Sequence, residues 1–258
     1  TYDTLNALRY AVKGGAKTAA VINVMGSTMV NEVDIPIMQN SGPEICVLST
    51  KAATAQIVIS IRIALELGKL NGYLSDDDFI DKFKSLNQMS NLVRKITNET
   101  KGFVNLIARK TQNIKNWLFI GRGIYSAVAM EAALKMKEVT YHHAEGIPGG
   151  FMKHGTIALI EDGFGSIFFV PPKSESALFH HTIANAEEIK SRKGFIIGLG
   201  FDEMPEVFDY QVVLQDHDLI CAPLLLLVLG QLLSYYSAVI LKRNVDRPRS
   251  LAKSVTVA

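Results

Sequence analysis

Short, mostly apolar runs alternate along this chain with longer stretches in which apolar residues recur every three or four positions. Thr18–Val24, Asp34–Met38, Trp117–Ile120, Ser166–Val170, Gly194–Leu199 and Tyr210–Leu214 are short and rich in branched or aromatic side chains. Runs of this kind suit strands buried on both faces. Between them, Asp3–Lys13, Lys51–Leu67, Leu86–Thr100, Tyr125–Val139, Ser176–Arg192 and Pro223–Lys242 have helical periodicity. Buried strands separated by helices predict an α/β fold, with parallel sheets flanked by crossover helices. Ser75 before Asp76-Asp77-Asp78 predicts another helix start, because a hydroxyl cap followed by acids complements the helix dipole.

A shift of 175 residues brings two parts of the chain into register. Ile45-Cys46 then faces Ile220-Cys221, Gln56 faces Gln231, Val21-Ile22 faces Ile196-Ile197, and Asp34 faces Asp209. One common offset, with strands and helices in the same order, predicts duplication of one α/β unit. On this offset Ser176 is the partner of Thr1, while the second copy begins near Trp117. The first copy is therefore expected to start in mid-domain, within a longer polypeptide, since missing strands would leave backbone groups unpaired. The expected order is 1–70 as the end of a first subdomain, 71–115 as a helical connector, 116–243 as a second subdomain and 244–258 as a tail.

Composition narrows the classes. At 258 residues and 48% hydrophobic, the chain has enough apolar material for a sizeable core and is not of the disordered type. Its 27 basic and 25 acidic residues nearly cancel, so nothing points to nucleic acid as a partner. Cys46 and Cys221 are far apart and outside any C-x-x-C, which excludes a disulfide scaffold or zinc ribbon and suits a reducing cytoplasm. Thr1-Tyr2-Asp3-Thr4 lacks the features of a signal peptide. The 23 uncharged residues from Leu219 to Leu241 are long enough to cross a membrane. Pro223, Gln231, Ser234, Tyr235, Tyr236 and Ser237 interrupt them, and a buried core helix is expected instead.

Candidate chemistry gathers in the second half. Gly121-Arg122-Gly123-Ile124-Tyr125 joins a strand to a helix, a turn where backbone can approach an anion. The following helix places Glu131, Lys135 and Glu138 on one face at i, i+4 and i+7. An exposed ion-pair ladder is the plain reading. The helix also carries Ala127, Val128, Ala132, Ala133, Leu134 and Met136, too apolar for full exposure, so the stripe is expected to border a cleft. A partly buried carboxylate beside an ammonium suits proton transfer. His142, His143, Glu145 and His154 have no metal-binding spacing, and no metal is expected. His154, in a Gly-flanked loop, can serve as an acid or base near neutral pH. Ser49 reads first as a helix cap and second as a ligand contact. A tail lysine enclosed in a pocket could form an imine with a carbonyl substrate.

Four segments resemble the sugar isomerase (SIS) half of the glutamine–fructose-6-phosphate aminotransferase family. They are Gly42-Pro43-Glu44-Ile45 through Ser49-Thr50-Lys51-Ala52, Ala133-Leu134-Lys135-Met136-Lys137-Glu138, Lys153-His154-Gly155, and Leu251-Ala252-Lys253-Ser254-Val255-Thr256-Val257. The last is the most specific. The resemblance implies two flavodoxin-like SIS subdomains, the first incomplete at its N-terminus, a fructose 6-phosphate substrate, a glucosamine 6-phosphate product and no cofactor. It also implies an N-terminal glutaminase domain in the full-length chain, a homodimer and a cytoplasmic enzyme. Lys253 is similar to the lysine that forms a Schiff base with the sugar. Glu138 resembles the carboxylate that moves a proton between C1 and C2, with Lys135 assisting. His154 resembles the ring-opening histidine, which in the family comes from a neighbouring subunit. Thr1 would be the last residue of the phosphate loop, and Val47 and Ala252 match backbone contacts to the sugar. The family's G-E-L-K-H-G-P is here Gly150-Phe151-Met152-Lys153-His154-Gly155-Thr156. A non-catalytic sugar-phosphate-binding SIS module and a deaminating SIS isomerase are the alternatives.

Overall fold

Apolar runs and amphipathic stretches fold into alternating strands and helices. The computed structural model describes residues 2–201, 204–215 and 218–249. They divide into two units, one drawn from residues 2–75 and 246–249 and the other from residues 76–245.

The first unit contains α1 (Tyr2–Lys13), β1 (Ala19–Ile22), α2 (Thr28–Glu32), β2 (Ile35–Met38) and α3 (Thr50–Leu70). The two strands are parallel, with Ala19 opposite Ile35 and Ile22 opposite Met38. Asp34 ties them together at their start. Its Oδ2 accepts the Thr18 N–H at 2.8 Å and the Thr18 hydroxyl at 2.9 Å.

The second unit contains α4 (Asp76–Lys110), β3 (Asn116–Gly121), α5 (Tyr125–Thr140), β4 (His143–Pro148), two 3-10 turns (Gly149–His154 and Thr156–Leu159), β5 (Gly165–Val170), α6 (Ser176–Lys190), β6 (Phe195–Phe201), β7 (Tyr210–Leu214) and α7 (Ala222–Ile240). Its five strands are all parallel, in the order β4-β3-β5-β6-β7. This is the flavodoxin-like doubly wound order, which reverses direction between β3 and β5. Every residue of β5 is buried, as an uninterrupted apolar strand requires. α7 has the length and composition of a membrane span, but it packs on α4 and α5. Leu224 through Gly230 are all buried there, so the long uncharged run is a core helix.

Four local expectations change. The helix expected at Leu86–Thr100 runs from Asp76 to Lys110: it joins the start predicted at Ser75 and continues through the buried Val104, Ile107 and Ala108. β4 was not anticipated: His143, Glu145, Gly146 and Pro148 are poor strand formers, and pairing with β3 overrides that preference. α2 is a single short turn with no apolar stripe to announce it. The gapless repeat is also shifted in its first strand. Val21 faces Ile37, sixteen positions on, whereas Leu199 faces Val212, thirteen positions on. With Ile37 and Val212 equivalent, Val21 corresponds to Leu199 and not to Ile196. The extra three residues lie in the connection that holds α2. The duplicated aspartates keep their place: Asp209 Oδ2 accepts the Ile196 N–H at 2.8 Å, as Asp34 does from Thr18.

The Thr18 N–H and hydroxyl, with a smaller contribution from Lys17, hold the Asp34 carboxyl below the usual aspartate range. The folded chain thus ionises Asp34 more readily than the unfolded chain does. That stabilisation is complete above the unfolded value, about 3.9, and is lost as pH falls through the depressed folded one. Asp34→Asn should therefore lower stability at pH 7, and the gap between variant and wild type should close below about pH 4. Urea unfolding at a series of pH values measures this; a gap that stays constant into acid would contradict it.

Candidate active site

The position of α5 is set by close backbone approach. A methyl group on Gly121 would overlap the Tyr125 carbonyl, and one on Gly146 of β4 would overlap the Met130 backbone. Glycine at these points lets the helix lie directly on the face of the sheet. At its start the Tyr125 hydroxyl donates to Glu175 at 2.5 Å, joining the loops that follow β3 and β5. The far side of α5 packs on α7.

This packing buries the middle of the charged stripe. Lys135 Nζ lies 3.0 Å from Glu131 Oε1 and 3.3 Å from Glu138 Oε2, and its side chain is only 5% exposed. Glu131 and Glu138 keep 31% and 18% exposure. The arrangement is not an exposed ladder. One ammonium, sheltered by α5's apolar neighbours, fixes two carboxylates that still reach its edge. A carboxylate held in this way has a defined direction and few competing waters, which suits shuttling a proton between adjacent carbons.

His154 ends the first 3-10 turn and is exposed. Met152, two residues earlier, is fully buried, while Phe151 is 66% exposed. The apolar residue at position 151 therefore sits on the surface and leaves the core of the turn to Met152. Gly155 joins the two turns at φ 129°, a conformation that strains any side chain. His143 and Glu145 are exposed on β4. His142 is half-buried, and burial, helped by Lys115 and Arg243, pushes its pKa down. Among the described residues no His, Cys, Asp and Glu group has the geometry to hold a metal.

In the first unit, Val47 and Ser49 lie in the loop before α3. Ser49 occupies the cap position but makes no side-chain cap; it has φ 55°, and its hydroxyl donates to the Val47 carbonyl at 3.3 Å. Glu44 does the capping instead, accepting the Ala52 N–H at 2.9 Å. The loop is held from below by residues that sequence reasoning missed. Asn23 Nδ2 donates to the Gly42 carbonyl at 2.8 Å, and its Oδ1 accepts the Ser41 N–H at 3.0 Å. The buried Gln39 donates to Ser41 Oγ at 2.8 Å and to the Ala52 carbonyl at 3.0 Å. The available signal was a polar amide directly after an apolar pair: Asn23 after Val21-Ile22 and Gln39 after Ile37-Met38. Both stand at C-terminal strand ends, where α/β sheets place ligands.

The structure thus brings Lys135 and Glu138 together, and Val47 and Ser49 together. Thr1, Ala252 and Lys253 lie outside the described residues.

The SIS domain family matches residues 111–205, which hold β3 through β6 of the doubly wound sheet and the carboxylate–ammonium helix. The chain is 44% identical over 257 residues to the glutamine–fructose-6-phosphate aminotransferase [isomerizing] of Methanococcus maripaludis, covering all of this chain and 41% of that protein. It is 37% identical to the enzyme of that name from Thermus thermophilus, over all of this chain and 42% of the relative. Among solved structures, the C-terminal domain of glucosamine-fructose-6-phosphate aminotransferase from Francisella tularensis superimposes with a TM-score of 0.90 at 32% identity, covering 96% of this chain and 70% of that one. A glucosamine-6-phosphate deaminase from Thermotoga maritima shares the fold, at TM-score 0.72 and 19% identity. The chain belongs to the glutamine–fructose-6-phosphate aminotransferase family and corresponds to its isomerase domain. It spans about two fifths of the length of the two curated relatives named here.

Lys135→Met removes the cation shared by two carboxylates on a packed helix. The expected cost is about 1–3 kcal/mol, less than for a fully buried pair because both carboxylates retain some solvent. Urea unfolding at neutral pH reads it directly; a variant as stable as wild type would mean the pair is solvated and not held.

Proposed function

We propose that this chain is the isomerising part of an enzyme that makes glucosamine 6-phosphate from fructose 6-phosphate and ammonia released from glutamine. The observation that carries the reading is the Glu138 carboxylate, fixed by an almost buried Lys135, at the motif positions that resemble the family's proton-transfer pair. The whole-chain similarity to aminotransferases of this name supports it. His154 opens the sugar ring. The Lys253 amine adds to the ketone at C2 with loss of water, and ammonia then displaces the lysine, leaving its nitrogen on C2. Glu138 takes a proton from C1 and returns one to C2, while Lys135 holds it in place. The hydroxyl proton of C1 passes to the nitrogen as C1 becomes an aldehyde, so that C2 carries an amine. Thr1, Val47, Ser49 and Ala252 contact the substrate. No metal or organic cofactor enters these steps.

Ammonia is supplied by a glutaminase domain on the same full-length polypeptide, consistent with relatives more than twice as long as this chain. The working form is a homodimer in the cytoplasm, where His154 of one subunit serves the site of the other.

In the full-length protein, Lys253→Arg should lower glucosamine 6-phosphate formation at least about 100-fold with either glutamine or ammonium as donor, since arginine cannot form the imine. Product quantified by mass spectrometry decides it. Near-normal turnover would remove Lys253 from the chemistry, and a wild-type protein that binds fructose 6-phosphate without converting it would point to a binding module.

A further inference from the structure

The turn that carries His154 is seated on α6 and on the loop after β3 by contacts on either side of a buried anchor. Gly149 begins the turn, and there is no room for a side chain on it: a methyl group would lie 2.6 Å from Asn185 Oδ1 and 3.2 Å from Arg122 Nε. Met152 is fully buried in a cluster with Ile183 and Ala186 of α6. Lys153, the residue before His154, pairs with Glu188 at 2.6 Å.

These contacts are joined by a continuous line of polar groups. Arg122 Nε donates to Asn185 Oδ1 at 2.9 Å, and Asn185 Nδ2 donates to Glu188 Oε2 at 3.3 Å. Glu188 Oε1 faces Lys153. Asn185 is 1% exposed, so its amide is satisfied by this line and not by bulk water. The Lys153 side chain is 61% exposed, but its Glu188 partner is 26% exposed and already fixed by Asn185, so the pair has one rigid end. The rigidity comes from the buried amide, which fixes Glu188 on one side and packs under Gly149 on the other. None of these groups has a part in the proton transfers described above. Their common effect is to set the direction in which the turn presents its exposed imidazole.

We infer that Asn185 and Glu188 are positioning residues for His154: Asn185 seats the start of the turn and Glu188 its end, so that the imidazole meets the sugar ring at the correct angle. This rests on the reading of His154 as the ring-opening acid/base. It predicts a defect confined to substrates that arrive as rings.

The test uses the full-length protein with ammonium as donor and two ketoses. Fructose 6-phosphate is mostly cyclic, whereas 5-deoxyfructose 6-phosphate lacks the hydroxyl that closes the furanose and is already open. Glu188→Ala and Asn185→Ala should lower kcat on fructose 6-phosphate about 10- to 100-fold, the scale of a misplaced catalytic group, and leave turnover of the open analogue within about twofold of wild type. Glu188→Gln keeps one acceptor oxygen for Asn185 but loses the pair with Lys153, and should recover part of the loss. Equal losses on both ketoses would reduce the line to a structural support, and unchanged kcat on fructose 6-phosphate would remove it altogether. If Asn185→Ala fails to fold, Glu188→Ala decides the matter, because that side chain lies partly in solvent. A wild-type protein that turns over neither ketose would overturn the functional reading, and this inference with it. Wild-type turnover with unaffected variants would overturn this inference alone.

Discussion

The second unit depends on how closely α5 can approach the sheet. Gly121 and Gly146 remove the side chains that would hold the helix away, and Gly230 of α7, where a methyl group would lie 2.7 Å from Ala132 Cβ, does the same on the opposite side. Helices that touch this closely leave no room to slide, because packed interiors tolerate few voids and little overlap. The result is a helix whose charged stripe has one available position. Lys135 is trapped against its neighbours and draws Glu131 and Glu138 toward it. A buried cation costs free energy, and here two carboxylates at hydrogen-bonding distance offset that cost. The same contacts that stabilise the unit therefore aim Glu138.

The two strand pairs are built alike but carry different polar groups. Both copies keep a parallel strand pair tied at its start by an aspartate, Asp34 in one and Asp209 in the other. They differ at the opposite strand ends. By the offset that equates Ile37 with Val212, Gln39 corresponds to Leu214 and Glu44 to Leu219. The first copy thus uses the buried Gln39 amide and the Glu44 carboxylate to shape the Val47–Ser49 loop, where the second copy has leucines. Polar groups at the end of a strand are costly unless satisfied, and their full pairing in the first copy gives a rigid rim suited to a polar ligand. In the second copy the charged and titratable groups lie instead on α5 and in the turn after β4.

Much of this was legible in the sequence, for physical reasons. Strands buried on both faces, such as Gly165–Val170, are written as unbroken apolar runs, and the stripe of Glu131, Lys135 and Glu138 is written as helical spacing. The α7 run was ambiguous between lipid and protein interior because both reward the same side chains; its polar interruptions favoured the interior. β4 was hidden, since its strand character comes from the β3 neighbour and not from His143, Glu145 or Gly146. The role of Ser49 was misread because its local pattern fits a cap, while the actual cap, Glu44, reaches back from five residues earlier. Asn185 was invisible for a similar reason: its partners, Arg122 and Gly149, are distant in the chain and meet only in the folded unit.

On the proposed reading, Glu138, steered by Lys135, breaks the C1–H bond. The most direct measurement of that step is the loss of deuterium from C1 of C1-deuterated fructose 6-phosphate by the full-length Glu138→Gln protein, alongside borohydride trapping of the sugar on Lys253. The expected result is an adduct trapped as in wild type, with removal of the label slowed at least about 100-fold. Label removed at the wild-type rate would contradict it and place the base elsewhere.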